Sequence, residues 1–365
     1  MNIKVTVNKD RIENFIVEKK SVAKGPKVVA LGGGTGLSTM IRGLKHYTEN
    51  ITAVVTVADD GGSSGMLRQD LGMLPPGDIR NCILALADTE PVMEQLFQYR
   101  FTEGSLKGQN FGNLFLAAMN GISGSFVEAV KRTSDVLAVT GRVLPVTSQD
   151  VELCAIFDNG LKVCGESKIS RMKMVHRSRI RNVHLHPLNV EPLPEVIDAI
   201  SEADIIILGP GSLYTSIIPN LLVKGISEAI KNSPALKIYV CNIMTQPGET
   251  EGYTAYEHLA AIEEHAGSRF IDYCIVNTHI ISGGLLNKYF EDGAEPVRID
   301  RAMFRNNNVK LIEGDILAIH HGYIRHDTKK LARIIAELAV DSARIRDKKR
   351  IIDYYYVKDR LKQKV

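Results

Sequence analysis

The chain has 365 residues, 44% of them hydrophobic and 24% charged, with a formal net charge of +3. These proportions exclude an extensively disordered polymer and supply core material for one large domain or two small ones. The charge is unevenly placed: from Arg344 to Val365 nine Lys or Arg face three Asp, so residues 1–343 carry a net charge of about −3, which argues against a nucleic-acid-binding body.

Residues 1–24 are polar and charged, end in Lys24-Gly25-Pro26, and read as an N-terminal extension with no apolar leader. Lys27–Thr39, KVVALGGGTGLST, then gives a short apolar strand, a glycine turn, and a helix whose Leu37, Met40, Ile41 and Leu44 fall at helical spacing. A wholly apolar strand suits a parallel sheet covered on both faces. Gly33, Gly34 and Gly36 let the backbone expose N–H groups at a helix N-terminus, a natural phosphate seat; a tight turn without ligand accounts for the same residues. The spacing fits neither the P-loop, since Leu37 stands where its second Gly would be, nor the full dinucleotide fingerprint, which lacks its third Gly.

Ile51–Ala58 reads as a second buried strand, delivering Asp59-Asp60-Gly61-Gly62-Ser63-Ser64-Gly65 at its carboxyl end. Asp59 and Asp60 are the paired carboxylates of these loops. They could read a ribose, carry Mg, act as a base, or cap their own turn. Pro75-Pro76-Gly77 offers Asp78 as the N-cap of a helix through Ile79, Ile83 and Leu86, with Arg80 and Asn81 as structural support. Asn113 precedes the apolar helix Phe115–Met119. Residues 138–190 change character: Val143–Val146, Val151–Phe157 and Leu161–Val163 alternate, and Asp158-Asn159-Gly160 is hairpin chemistry, so a small antiparallel excursion is expected there. Arg171, Lys173, His176, Arg177, Arg179 and Arg181 make a basic strip within it, read as a solvated face.

Ala203–Leu208 is a third buried strand, opening into Gly209-Pro210-Gly211-Ser212-Leu213-Tyr214-Thr215. Leu236–Cys241 is a fourth, followed by Asn242 through Gln246 to Thr250, and Tyr273–Val276 is a fifth. Val309–Glu313 and Ile316–Ile319 are short strands, after which Arg325 precedes a helix capped by Asp327 or Thr328. Thr328, with an Arg three residues before it, is a candidate phosphorylation site. The strand–loop–helix rhythm predicts an α/β fold: a Rossmann-like, doubly wound, mainly parallel sheet. Its loops at 33–37, 59–65, 209–216 and 242–250 should converge on one cleft, because open α/β sheets bind ligands at the carboxyl ends of their strands.

Five cysteines, Cys82, Cys154, Cys164, Cys241 and Cys274, lack CxxC spacing and are expected as reduced thiols, with no zinc or other metal site. His184 and His186 alternate along one strand, and no Ser-His-Asp arrangement suggests a nucleophile. No window has the roughly 18 apolar residues of a spanning helix, so a cytoplasmic protein is expected.

As an ordered set, LGGGTGLS (31–38), ADDGGSSG (58–65), PPGDIRN (75–81), GNLFLAA (112–118), LGPGSLYTSIIPNLLV (208–223), NIMTQPGET (242–250) and RHDT (325–328) resemble the bacterial gluconeogenesis-factor (YvcK-like) family, within the superfamily of 2-phospho-L-lactate transferases. The likeness spans about residues 25–340 and leaves the basic tail, 341–365, outside. It implies a CofD-like Rossmann-type domain that binds UDP-sugars such as UDP-N-acetylglucosamine, and a role in cell shape and wall homeostasis during gluconeogenic growth. By motif it implies that Thr35, Gly36 and Leu37 with Ser63 and Ser64 line the ligand. It further implies that Gly209, Gly211, Ser212 and Thr215 hold nucleotide and that Arg325 contacts the UDP-sugar. Gly65, Asn113, Tyr214, Asn242 and Gln246 join the candidate set. The transferase branch differs after its second strand, where this chain has Asp59-Asp60-Gly61-Gly62. A UDP-sugar-binding regulator is thus the first reading, and a Mg-dependent transferase or an NAD-type dinucleotide-binding protein the alternatives. Proteins of cell-wall precursor synthesis would be its partners, and self-association is compatible with the sequence.

Overall fold

The apolar run after Pro26 forms the central strand of the molecule, β1 (Val28–Gly32), with every residue buried. In the computed structural model residues 25–176, 178–281, 283–320, 322–342 and 351–362 are described. The expected extension 1–24, residues 343–350 and 363–365 of the expected tail, and Arg177 of the basic strip lie outside them.

β2 (Ile51–Val55) and β3 (Arg142–Pro145) follow β1 on one side. On the other lie β7 (Ile205–Leu208), β8 (Leu236–Val240), β9 (Tyr273–Asn277) and β10 (Lys310–Gly314). The order β10-β9-β8-β7-β1-β2-β3 is parallel at every pairing. Helices such as Gly34–Leu44, Gly77–Leu86 and Ala255–His265 cross between strands and bury the Leu, Ile and Val that a two-faced sheet requires. Strand order reverses between β1 and β7, which makes their carboxyl ends the topological switch point.

The excursion exists as a three-stranded antiparallel sheet of β4 (Glu152–Phe157), β5 (Lys162–Cys164) and β6 (Ile180–His186), in the order β5-β4-β6. Two details differ from the sequence reading. Val143–Val146 does not belong to it, because β3 pairs in parallel with β2. Part of the basic strip lies on a helix, Glu166–His176, inserted between β5 and β6. The expectation of five thiols is also overturned: Cys154 and Cys164 face each other across the β4–β5 ladder and are joined as a disulfide, while Cys82, Cys241 and Cys274 are free and buried. A spacing of ten residues around a tight turn hides a pairing that strand register makes direct.

A hairpin of β11 (Leu317–His320) and β12 (Tyr323–His326) follows β10 and leads into the helix Thr328–Asp341. Its cap is Asp327, whose side chain accepts from the N–H groups of Lys329 and Lys330. The Ile351–Lys362 helix packs on the Thr328–Asp341 helix, with Val357 buried. Among the described residues no helix is long and apolar enough to cross a membrane.

Candidate functional site

Gly34 carries a φ of +68°, which a glycine adopts without strain, and it turns β1 into the helix Gly34–Leu44. That helix has no side-chain cap. Across the switch point Gly36 packs on the 209–211 loop so closely that a β-carbon there would stand 2.5 Å from the Pro210 carbonyl oxygen. Two glycine-rich loops thus share one wall. Asn242, at the end of β8, ties a third loop to them through a reciprocal pair: its Nδ2 donates to the Gly211 carbonyl at 2.8 Å and its Oδ1 accepts the Gly211 N–H at 3.3 Å.

Beneath these loops lies the carboxylate of Glu249, 1% exposed. It accepts from the Tyr214 N–H at 3.1 Å, the Thr215 hydroxyl at 3.0 Å and the Gln246 amide at 3.0 Å. The fourth wall is the β11–β12 hairpin. His326 is buried and its Nε2 donates to the Cys241 carbonyl at 3.1 Å. Burial pushes its pKa down to about 4, so the imidazole is neutral. This bond fixes the hairpin to the end of β8 and leaves the neighbouring Arg325 exposed at the cleft, near the Tyr323 ring.

Together these walls enclose a cleft of about 430 Å³ lined by Gly33–Gly36, Pro210–Ser212, Ser216, Asn242–Pro247, Tyr289, Asp292, Ala294 and Ile324–His326. Of the sequence candidates, Gly33, Gly34, Thr35, Gly36, Gly211, Ser212, Asn242, Gln246 and Arg325 meet on it. Others are structural neighbours rather than cleft wall. Leu37 is buried in the core, the Tyr214 hydroxyl pairs with that of Tyr253, and Thr215 is spent on Glu249. The Ser63 hydroxyl donates to Gln109 and accepts from Asn113 Nδ2. The Ser64 hydroxyl accepts from the Gly77 N–H, while Asn113 Oδ1 accepts from Arg80 at 2.8 Å. Gly209 turns its loop with a φ of +77°, and Gly65, inside the helix Gly62–Leu71, packs its backbone against the Asp60 carbonyl. Ser216 reaches the cleft from the expected 209–216 loop, whereas Tyr289 and Asp292 were not legible as lining residues: they arrive only through the packing of distant segments.

Behind the glycine turn stands an acidic group. Asp78 is not the helix cap expected of it, a position held by Pro76. It lies in the first turn and accepts the Gly34 N–H. Burial first, then the nearby Asp59, raises its pKa to about 6. Glu166, from the excursion helix, is hydrogen-bonded to Asp59, and burial with that carboxylate raises its pKa to about 9. Asp60 has a different job: its Oδ1 accepts the Ser167 N–H at 2.9 Å and holds the start of the excursion helix. The Asp pair therefore divides, Asp59 toward the acidic group and Asp60 toward the excursion. Arg80 lies alongside; burial lowers its pKa to about 10, and its Nε is buried without a partner among the described residues.

A parallel sheet with a glycine-lined cleft at its switch point defines a Rossmann-like class of α/β protein. Comparison with known proteins narrows this. Residues 28–317 match the family model of 2-phospho-L-lactate transferase CofD. The chain is 50% identical over 314 residues to the gluconeogenesis factor of Bacillus subtilis, covering 86% of this chain and 98% of that protein. It is 46% identical over 315 residues to the gluconeogenesis factor of Halalkalibacterium halodurans, covering 86% and 97%. A crystal structure of a Bacillus halodurans protein superposes with a TM-score of 0.82 at 46% identity, over 86% of this chain and 99% of that one. The chain belongs to the CofD family, among the gluconeogenesis factors.

Proposed function

We propose that the protein is a regulator that binds a nucleoside diphosphate sugar, UDP-N-acetylglucosamine or a close relative, and acts in the cytoplasm on cell shape and wall-precursor balance during gluconeogenic growth. The observation that carries this reading is the convergence of three strand-end loops and the β11–β12 hairpin on one cleft whose wall offers backbone N–H groups, hydroxyls, amides and the Arg325 guanidinium. Glycine turns and a helix N-terminus suit a diphosphate, Arg325 would grip it in a fork, and Asn242 and Gln246 suit sugar or base. The volume falls within the usual range for small-molecule sites. Thr328 begins a helix beside the Asp327 cap, where a phosphate would sit on the positive end of the helix dipole, and we include it as a phosphorylation site to be checked by mass spectrometry of protein from its native cells.

A second reading, a Mg-dependent transfer of a phosphoryl-type group, is favoured by one observation, the carboxylates of Asp59, Asp78 and Glu166 gathered behind Gly33 and Gly34. Hard oxygen ligands suit a divalent cation such as Mg, and burial with a neighbouring carboxylate raises the pKa of Asp78 and Glu166, a charge repulsion that a cation would relieve. A bound ion would neutralise phosphate charge there, while this chain's own Gly33–Gly36 and Arg325 hold and orient the diphosphate.

Calorimetric titration with UDP-N-acetylglucosamine, UDP, GDP and NAD, with and without Mg, followed by recovery of each ligand, separates the readings. The regulator binds UDP-N-acetylglucosamine and returns it intact. Consumption of the ligand establishes the transferase, and preference for NAD over UDP overturns both in favour of a dinucleotide-binding protein.

A further inference from the structure

The excursion sheet places a second group of ligating atoms away from the cleft. Cys154 pairs with Cys164 across β4–β5 and with His184 across β4–β6, so all three side chains leave the same face of the sheet. Glu152, two residues earlier on β4, shares that face. One carboxylate oxygen of Glu152 and the sulfurs of Cys154 and Cys164 lie within 4.8 Å of one another. The opposite face, with Leu153, Ala155, Phe157, Val183 and Leu185, is buried and belongs to the core. The chelating face is open at its edge, where Cys164 is exposed and Glu152 half-buried, while Cys154 is buried between them.

We propose that Glu152, Cys154 and Cys164 form a redox-gated site for a thiophilic divalent cation of the zinc type, a site beyond the nucleotide-sugar reading and independent of it. In the oxidised form described here, the S–S bond occupies the sulfurs and closes the site. A dithiol reductant opens it: the reductant supplies two electrons and two protons, the S–S bond breaks to two thiols, and the reductant leaves as its own disulfide. Metal entry then releases the two thiol protons. Two thiolates and a carboxylate select zinc over magnesium, and water or His184, opposite Cys154, takes the remaining tetrahedral position. Paired strands hold the three donors in register, so little rearrangement is needed beyond the parting of the sulfurs. The site adjoins the acidic group behind the glycine turn. Cys164 is followed by Gly165, packed against the Asp60 carboxylate, and by Glu166, bonded to Asp59.

The test uses the full chain, reduced with a phosphine under nitrogen and titrated with Co2+ as a spectroscopic stand-in for zinc. The expected result is thiolate-to-cobalt charge-transfer absorption that saturates at one ion per chain, is reversed by zinc, and is absent from protein oxidised beforehand. Cys154→Ser and Cys164→Ser should each lose the charge-transfer band, and Glu152→Gln should weaken affinity by about tenfold or more. Far-ultraviolet circular dichroism on each variant checks that it is folded, and Glu152→Gln leaves both sulfurs in place should a serine variant fail. Absence of the band from the reduced protein, or its persistence in folded Cys164→Ser through Cys82, Cys241 or Cys274, overturns the proposal.

Discussion

Gly36 and Pro210 are 174 residues apart in the chain, yet a β-carbon on Gly36 would come within 2.5 Å of the Pro210 carbonyl oxygen. This contact brings the loop after β1 against the loop after β7, and the cleft depends on it.

Gly36→Ala should therefore force the two loops apart. The obstacle is backbone, which cannot swing away as a side chain would, and overpacking of this kind costs about 1–3 kcal/mol. Urea denaturation should show that loss, and binding of UDP-N-acetylglucosamine should fall further than stability does. Wild-type affinity in the alanine variant would show that the loops need not touch.

Glu249→Ala should be among the more damaging single changes near the cleft. It leaves the Tyr214 N–H, the Thr215 hydroxyl and the Gln246 amide without their carboxylate, at a combined cost of about 3 kcal/mol or more. Glu249→Gln retains one acceptor oxygen and should lose less, an ordering that thermal denaturation of the pair checks.

Asp78 gives a pH dependence of definite sign. Its pKa is raised from 3.8 to about 6 in the fold, so the native state holds its proton more tightly than the unfolded chain does. Its contribution to stability is thus greatest below pH 4 and declines as pH rises to about 6, by on the order of 2 kcal/mol. His326 acts in the opposite direction: its pKa is lowered from 6.5 to about 4, so its neutral burial costs stability as pH falls through that window. Asp78→Asn should raise the melting temperature above pH 6 and leave the His326 acid lability exposed below it. A variant with an unchanged profile from pH 4 to 7 would refute the raised pKa.

Arg325 tests the ligand reading with little risk to the fold, because its side chain is exposed and its recorded hydrogen bond is to the neighbouring Ile324 carbonyl. Arg325→Ala should cost about 2 kcal/mol of binding, roughly thirtyfold in Kd, with stability changed by less than about 0.5 kcal/mol. Arg325→Lys should recover only part, since an ammonium cannot form the fork. Full affinity in the alanine variant would remove the arginine from the site.

Much of the parallel sheet was legible before any coordinates. Val28–Leu31, Ile51–Val55, Ile205–Leu208 and Leu236–Val240 are apolar runs interrupted only by Thr52 and Lys237 and ending in glycine, hydroxyl or amide loops, and such runs suit strands covered on both faces. Three of the four loops expected on the cleft, 33–37, 209–216 and 242–250, meet there for the same reason; the 59–65 loop does not line it, and the fourth wall is the β11–β12 hairpin. Leu37, Tyr214 and Thr215 looked equivalent to their neighbours in sequence, but helical phase and the buried Glu249 turn them inward.

The sequence by itself determined the alternation of strand and helix, the turns that need glycine, and the family, because these depend on local pattern and ordered motifs. Tertiary structure alone decided that Glu166 joins Asp59, that Asp78 accepts from Gly34 rather than capping its own helix, and that Cys154 meets Cys164. Each depends on the register and crossing of segments distant in the chain, which are set by how apolar faces pack and leave no periodic mark on the residues they bring together.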